Sequence, residues 1–170
     1  MYATATDLVT RFGIEELTQL TNREPYETIT PEMLQKGLGG EDLSGYTPEQ
    51  QTAITAAVGV VTRALDDARA EIDSYLTGRF TLPLASVPRL LSRTAADMAR
   101  YGLHENQVTE TVRQRYKDAT SFLKDVAAGR ADLGLDQQNQ PVASKSRHGA
   151  GGSAADRTFS ETTLGGFVGL

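Results

Sequence analysis

The sequence predicts a mostly α-helical protein: a small helical bundle built on one long central helix, with an irregular N-terminal insertion and an extended C-terminal tail. Two observations support this prediction. Apolar residues recur at helical spacing in several stretches of the 170-residue chain. That periodicity ends after residue 133, where polar residues and glycine predominate. We therefore expect a helical domain over residues 1–133 and, over residues 134–170, an extended tail that becomes ordered on a partner.

The long central helix is the element that the sequence predicts most clearly. Thr47 is a suitable N-cap, Pro48 suits the first helical position, and Gln50 completes a capping-box pattern. Gly78 occupies the position expected for a left-handed residue at the C-terminal end. Between them the apolar residues are spaced by three or four for about six turns. These residues are Ile54, Ala57, Val58, Val61, Leu65, Ala68, Ile72, Tyr75 and Leu76.

Before the long helix we expect two short helices or one broken helix, followed by the insertion. Thr6 is a suitable N-cap, and Gly13 interrupts the helical spacing of the apolar residues. The insertion, about residues 23–46, combines several glycines and prolines with many acids. This composition favours irregular surface structure, with at most one helical turn near residues 31–36.

Two shorter helices are expected after the long one. Residues 79–84 alternate polar and apolar around a proline, which predicts an extended crossover or a single edge strand fastened over the helical core. Pro88 can open the next helix, with His104 acting as a cap at its end. The last helix is expected over about residues 108–128, closed by Gly129.

Composition excludes several classes of function. The chain has no cysteine and two histidines, so thiolate or zinc chemistry is disfavoured. No apolar run is long enough to cross a membrane and the N-terminus lacks the pattern of a secretion signal, so we expect synthesis in the host cytoplasm and no membrane partner. The net charge of -5 arises in residues 1–47, which hold eight acids and three bases. No basic face is apparent, which disfavours tight DNA binding.

We predict no catalytic, cofactor-binding or metal-binding residue. Acids on the long helix are mainly a solvated face, and a second interpretation is that some of them line a channel and repel DNA. The tail carries apolar residues that predict partner binding, against the alternative of a loose terminus. The acids are Asp66, Asp67, Glu71 and Asp73, and the tail residues are Phe159, Leu164, Phe167, Val168 and Leu170.

Several stretches resemble the head-tail connector (adaptor) family of Mu-like tailed bacteriophages. The order and the spacing of these stretches are similar as well, and the similarity covers the N-terminus and roughly residues 50–133. The stretches read ALDDARAEIDSYLTGRF over residues 64–80, LPL over 82–84, VP over 87–88, ADMARY over 96–101 and RYKDA over 115–119, with MYAT opening the chain before Asp7 and Leu8.

The resemblance implies a non-enzymatic structural virion protein of the neck between head and tail, without cofactors. It implies a ring of about twelve copies that binds the portal protein and continues the DNA channel. The resemblance implies two further partners. One is a tail-side stopper or tail-terminator protein, and the other is genomic DNA, which passes through the ring without specific binding. No family role is carried over to residues 23–46 or to the chain after residue 135.

Three alternatives remain open from the sequence. A tail-completion or stopper ring protein would share the size and helical content. A helical nucleic-acid-binding module would need a basic recognition helix, and the only candidate is the last helix. Its bases, Arg113, Arg115, Lys117 and Lys124, are interleaved with Glu110, Asp118 and Asp125. A small helical enzyme would need a pocket of converging polar groups, which the sequence does not indicate.

Overall fold

A computed structural model describes residues 1–23, 25–104 and 108–135, and within these ranges the protein is helical, with no β-strand. The mostly α-helical fold built on one long central helix is therefore confirmed. The helices are α1 (Ala5–Phe12), α2 (Ile14–Thr21), α3 (Pro31–Gly39), α4 (Pro48–Leu76), α5 (Arg89–Leu103) and α6 (Glu110–Ala127).

Helix α4 begins as predicted, but it ends differently. The Thr47 side-chain oxygen accepts from the Gln50 amide at 3.3 Å, and the Gln50 side chain accepts from the Thr47 amide at 3.2 Å. The prediction that Gly78 is a left-handed cap is wrong, because Gly78 is not among the positive-φ glycines. Thr77 ends the helix instead, and its amide and hydroxyl both donate to the Asp73 carbonyl.

The core of the bundle surrounds α4, which contacts α1, α2, α3, α5 and α6. One face of α4 is buried along its whole length, from Ile54 to Leu76. At about 1.5–3 kcal/mol for each fully buried aliphatic side chain, this face is the main source of stability. The other helices each contribute fully buried side chains to the same cluster, namely Leu8, Leu17, Leu34, Leu91, Leu103, Leu123 and Val126.

The N-terminal segment forms two short helices rather than one broken helix. The cap of α1 is Thr4, not Thr6 as predicted, because the Asp7 carboxylate accepts from the Thr4 amide at 2.8 Å and completes a capping box. Gly13 separates α1 from α2 with φ of 86°, a value that favours glycine. The prediction that Gly13 interrupts the helix is confirmed.

The insertion over residues 23–46 is more ordered than predicted. Helix α3 spans nine residues rather than one turn, and Thr30 caps it. Ile29 is 3% exposed and Leu34 is fully buried, so the segment contributes to the core. The sequence did not predict the full length of α3, because its glycines are typical of loops. Gly37 lies inside α3, where the absence of a side chain allows a close approach to α4.

The connector between α4 and α5 is a crossover rather than an edge strand. Phe80, Leu82 and Leu84 are partly buried against the core, as the structural interpretation of residues 79–84 predicted. Leu82–Pro83 is a cis peptide bond.

Helix α6 starts at Glu110, two residues later than predicted, because Thr109 caps it. Gly129, with φ of 76°, follows it as expected. Leu133 and Leu135 are both buried, so the described chain stays packed slightly beyond the boundary predicted at residue 133. The remainder of the predicted tail lies outside the described residues.

Candidate functional surfaces

The four acids predicted on α4 do not form one set. Asp66 and Asp67 are exposed, and no hydrogen bond or ion pair involves them within the described ranges. Glu71 and Asp73 are half-buried and bonded to other elements. Of these four acids, only Asp66 and Asp67 therefore present unpartnered negative charge within the described ranges.

Glu71 joins α4 to α6. The Tyr116 hydroxyl donates to Glu71 Oε1 at 2.9 Å, and the Tyr116 ring stacks on Tyr101 of α5 with centroids 4.1 Å apart. Burial, assisted by the Glu71 carboxylate, raises the pKa of Tyr116 to about 12. Glu71 thus holds three helices together.

Asp73 ties the N-terminus to α4. It accepts a hydrogen bond from the Tyr2 hydroxyl and lies 3.6 Å from the Arg69 guanidinium. Burial is the largest cause of a raised pKa at Tyr2, and the Asp73 carboxylate adds to it. These contacts give Asp73 a structural role that does not require a position on a channel wall.

A buried carboxylate with three arginines is the feature that sequence reasoning missed. Asp97 of α5 is 7% exposed, and its Oδ1 has no hydrogen-bond partner in the described structure. Guanidinium nitrogens of Arg11, Arg93 and Arg115 lie 3.9, 3.8 and 3.7 Å from its carboxylate oxygens. The sequence signal is that Asp97 is the one acid in α5 and is flanked by Ala96 and Met98. Buried carboxylates require compensating charge, which three different helices supply.

Another ion pair joins α5 to α2. The Arg100 guanidinium donates to both Glu16 carboxylate oxygens, at 2.6 and 2.9 Å, and its carbon lies 4.6 Å from the centre of the Phe12 ring. The following turn ends at His104, which caps α5 as predicted, with Nδ1 3.2 Å from the Arg100 carbonyl oxygen. The Arg100–Glu16 pair and the His104 cap both stabilise the bundle.

The bases of α6 do not form a recognition surface for nucleic acid. Arg113 pairs with Glu110 at 3.0 Å, and Arg115 is directed to Asp97. Lys117 and Lys124 remain exposed. Two lysines provide little of the phosphate neutralisation that DNA binding requires.

One large groove has a volume of about 740 Å³ and follows the N-terminal half of α4 past Gly59. Among the described residues that line it, the charged ones are Arg23 and Arg63, and none is a carboxylate or a histidine. Where the chain is described, no group of three or more potential metal ligands occurs. In the same ranges, no helix is both long and apolar enough to cross a membrane.

The predicted partner-binding residues of the tail, Phe159, Leu164, Phe167, Val168 and Leu170, lie outside the described residues. Their role therefore stays a prediction.

The fold defines a helical-bundle protein, and comparison with known proteins gives its family. The family model described as "Bacteriophage Mu, Gp36" matches residues 2–150. The chain therefore belongs to that phage Mu family. It is 40% identical over 123 residues to the Mu-like prophage FluMu protein gp36 of Haemophilus influenzae, covering 72% of this chain and 84% of the relative. It is 42% identical over 79 residues to gene product J of Escherichia phage Mu, covering 46% of this chain and 56% of the relative.

Proposed function

We propose that the protein is a structural component of the virion neck, where it forms a ring between the portal vertex of the head and the tail. The observation that carries the proposal is the match to a phage Mu family over residues 2–150. The resemblance of residues 64–119 to head-tail connectors supplies the particular role. The proposed protein acts by assembly and not by catalysis.

The shape of the bundle suits a ring subunit. A rigid helix of 29 residues is about 43 Å long, and five other helices pack around it. Copies that repeat one heterologous contact form a closed ring when the rotation between them closes. About twelve copies would match a portal ring.

Asp66 and Asp67 are the acids that we propose for the channel wall. Both are exposed and free of ion pairs within the described ranges, so their charge is available to repel phosphates. Repulsion allows DNA to slide through the ring without being held. Glu71 and Asp73 are removed from this proposal, because their hydrogen bonds to Tyr116 and Tyr2 explain them.

Imaging tests the proposal directly. The purified chain is mixed with the portal protein of the same phage, and the complex is examined by electron microscopy and by mass measurement in solution. A ring of about twelve copies on one face of the portal is the expected result. A chain that does not bind the portal protein and instead binds a tail-side ring would be a stopper or tail-completion protein.

The tail is proposed to fasten the ring to a partner. We propose that the apolar residues Phe159, Leu164, Phe167, Val168 and Leu170 occupy pockets of the portal or of a neighbouring copy. Deleting residues 136–170 should leave the thermal stability of the bundle unchanged, because its described core ends at Leu135. The same deletion should abolish the joining of heads to tails in a complementation assay. Infectious particles made with the truncated protein would exclude this role.

A further inference from the structure

One face of the bundle concentrates arginine. Arg11 of α1, Arg89 and Arg93 of α5, and Arg115 of α6 are all exposed, and we call them the arginine face. Arg89 and Arg93 line one cavity with Arg11, and Arg93 lines a second with Arg115. Leu90, which is 50% exposed, lies among them. Exposed apolar side chains surrounded by arginine are typical of protein–protein interfaces, where arginine is enriched and lysine is depleted.

The acids near this face leave positive charge available. Asp97 is buried beneath it and faces three of the arginines. Asp7 caps α1 and the exposed Asp118 accepts from Gln114 at 2.7 Å, and both keep their negative charge. Four arginines against Asp7, Asp97 and Asp118 leave this face with a net charge of +1. Arg89 has no hydrogen bond or ion pair in the described structure. The face therefore has four guanidinium groups that a partner can reach.

A cavity between α5 and α6 lies at this face. It measures about 210 Å³ and is lined by Leu90 and Phe122 together with Arg93, Arg115 and Asp97. The unpartnered Oδ1 belongs to the same Asp97. Arg11 and Arg115 lie 3.9 and 3.7 Å from this oxygen, and Arg93 lies 3.8 Å from Oδ2, which are all longer than ordinary hydrogen bonds. A carboxylate of a partner that pairs with one of these arginines would change the distances between the arginines and Asp97.

The opposite charge lies in residues 25–49, which we call the acidic segment. It has five exposed acids and one base, Lys36, which gives a net charge of -4. Glu32 pairs with Lys36, and Asp42 accepts from Ser44. The acids without a hydrogen bond or an ion pair in the described chain are Glu27, Glu41 and Glu49.

The two charged surfaces lie beside different halves of α4. Within the acidic segment, Gly37 approaches Ile54 and Val58 in the N-terminal half of α4. Val87, just before the arginine face, shares a cavity with Asp73 near the end of α4. Val58 and Asp73 are about 22 Å apart along the helix. No ion pair links the two surfaces within the described chain, so each is available to another molecule.

We propose that the acidic segment of one copy docks on the arginine face of the next copy and forms the repeating contact of the ring. This inference rests on the proposed function. Because the two patches differ, the contact is heterologous, which is the kind that rings require. It also gives a role to a segment whose role the family resemblance left open.

Charge reversal with rescue tests the contact. One variant carries Arg89→Glu and Arg93→Glu, a second carries Glu27→Lys, Glu41→Lys and Glu49→Lys, and a third combines all five. The control for the first variant is Lys117→Glu with Lys124→Glu, which also replaces two positive charges by two negative ones, on exposed α6 positions that line neither cavity. Because Arg93 lies 3.8 Å from Asp97, Arg89→Glu alone is also measured. Circular dichroism checks the fold of each variant.

Ring formation is measured as the protein concentration at which half of the chain is assembled, with and without the portal protein. Each one-sided set should raise that concentration at least about tenfold, and the combined variant should return to within about threefold of the wild type. Folded one-sided variants that assemble like the wild type, or no rescue in the combined variant, would overturn the contact alone. A wild-type chain that neither forms rings nor binds the portal would overturn the proposed function and this contact together.

Discussion

Replacing Gly37 with alanine tests whether the acidic segment is part of the bundle. Gly37 lies in α3 with its backbone against α4. A Cβ atom placed there would lie 2.5 Å from Ile54 Cγ2 and 2.9 Å from Val58 Cγ2. Both contacts are shorter than real Cβ atoms make, and neither methyl group belongs to a long flexible side chain. Gly37→Ala must therefore push α3 away from α4 or distort the core.

The magnitude follows from two opposing effects. Overpacking a close contact costs roughly 1–3 kcal/mol. Alanine improves helix propensity over glycine by about 1 kcal/mol. The net expectation is a loss of about 0–2 kcal/mol in the free energy of unfolding, or a melting temperature lower by up to roughly 6 °C for a chain of this size.

Gly59 supplies the matched control. It is also a helical glycine, but a Cβ there would meet only the Arg63 guanidinium, at 3.4 Å, which can move away. Gly59→Ala should therefore raise stability by about 0.5–1 kcal/mol. Both variants are compared by urea unfolding followed by circular dichroism. If Gly37→Ala were as stabilising as Gly59→Ala, the packing of α3 on α4 would be wrong.

Arg100→Ala and Tyr116→Phe test the links between helices, and Arg113→Ala serves as a control. Arg100→Ala should cost about 2 kcal/mol in unfolding free energy, because it breaks a half-buried bidentate pair with Glu16. Arg113→Ala, which breaks an exposed pair, should stay within about 0.5 kcal/mol of the wild type, and equal losses would contradict the assignment. The raised pKa of Tyr116, about 12, makes the folded state bind its proton more tightly than the unfolded state. Its contribution to stability is complete below about pH 10 and declines between about pH 10 and 12. Tyr116→Phe should reduce that alkaline decline in a pH series of thermal melts; an unchanged decline would refute it.

Local patterns in the sequence predicted the helices well where the signal was contained within a few residues. The capping box at Thr47 and the break at Gly13 are examples, because each depends on neighbouring backbone groups. Gly78 shows the limit of such reasoning. A glycine after a helix permits a left-handed cap but does not require one. The Thr77 hydroxyl donates to the Asp73 carbonyl, and the Arg79 and Phe80 amides donate to the Leu76 carbonyl.

The failures elsewhere have a tertiary cause. Gly37 looked like a loop residue because the side chains of α4 that it contacts are 17 or more positions away in sequence. The arginines around Asp97 come from α1, α5 and α6, so no spacing along the chain indicates that they meet. The channel role of the four acids stays a prediction, and the structure adds that Tyr116 of α6 and Tyr2, which precedes α1, donate to two of them.

A phage that lacks this protein tests the central claim most directly. A stop codon is placed early in the gene, and lysates are examined by electron microscopy with and without the full-length protein supplied from a plasmid. The proposed neck role predicts DNA-filled heads and complete tails that remain unjoined. Supplying the protein from the plasmid should restore joined particles. Normal joined particles without the protein would contradict a role between head and tail.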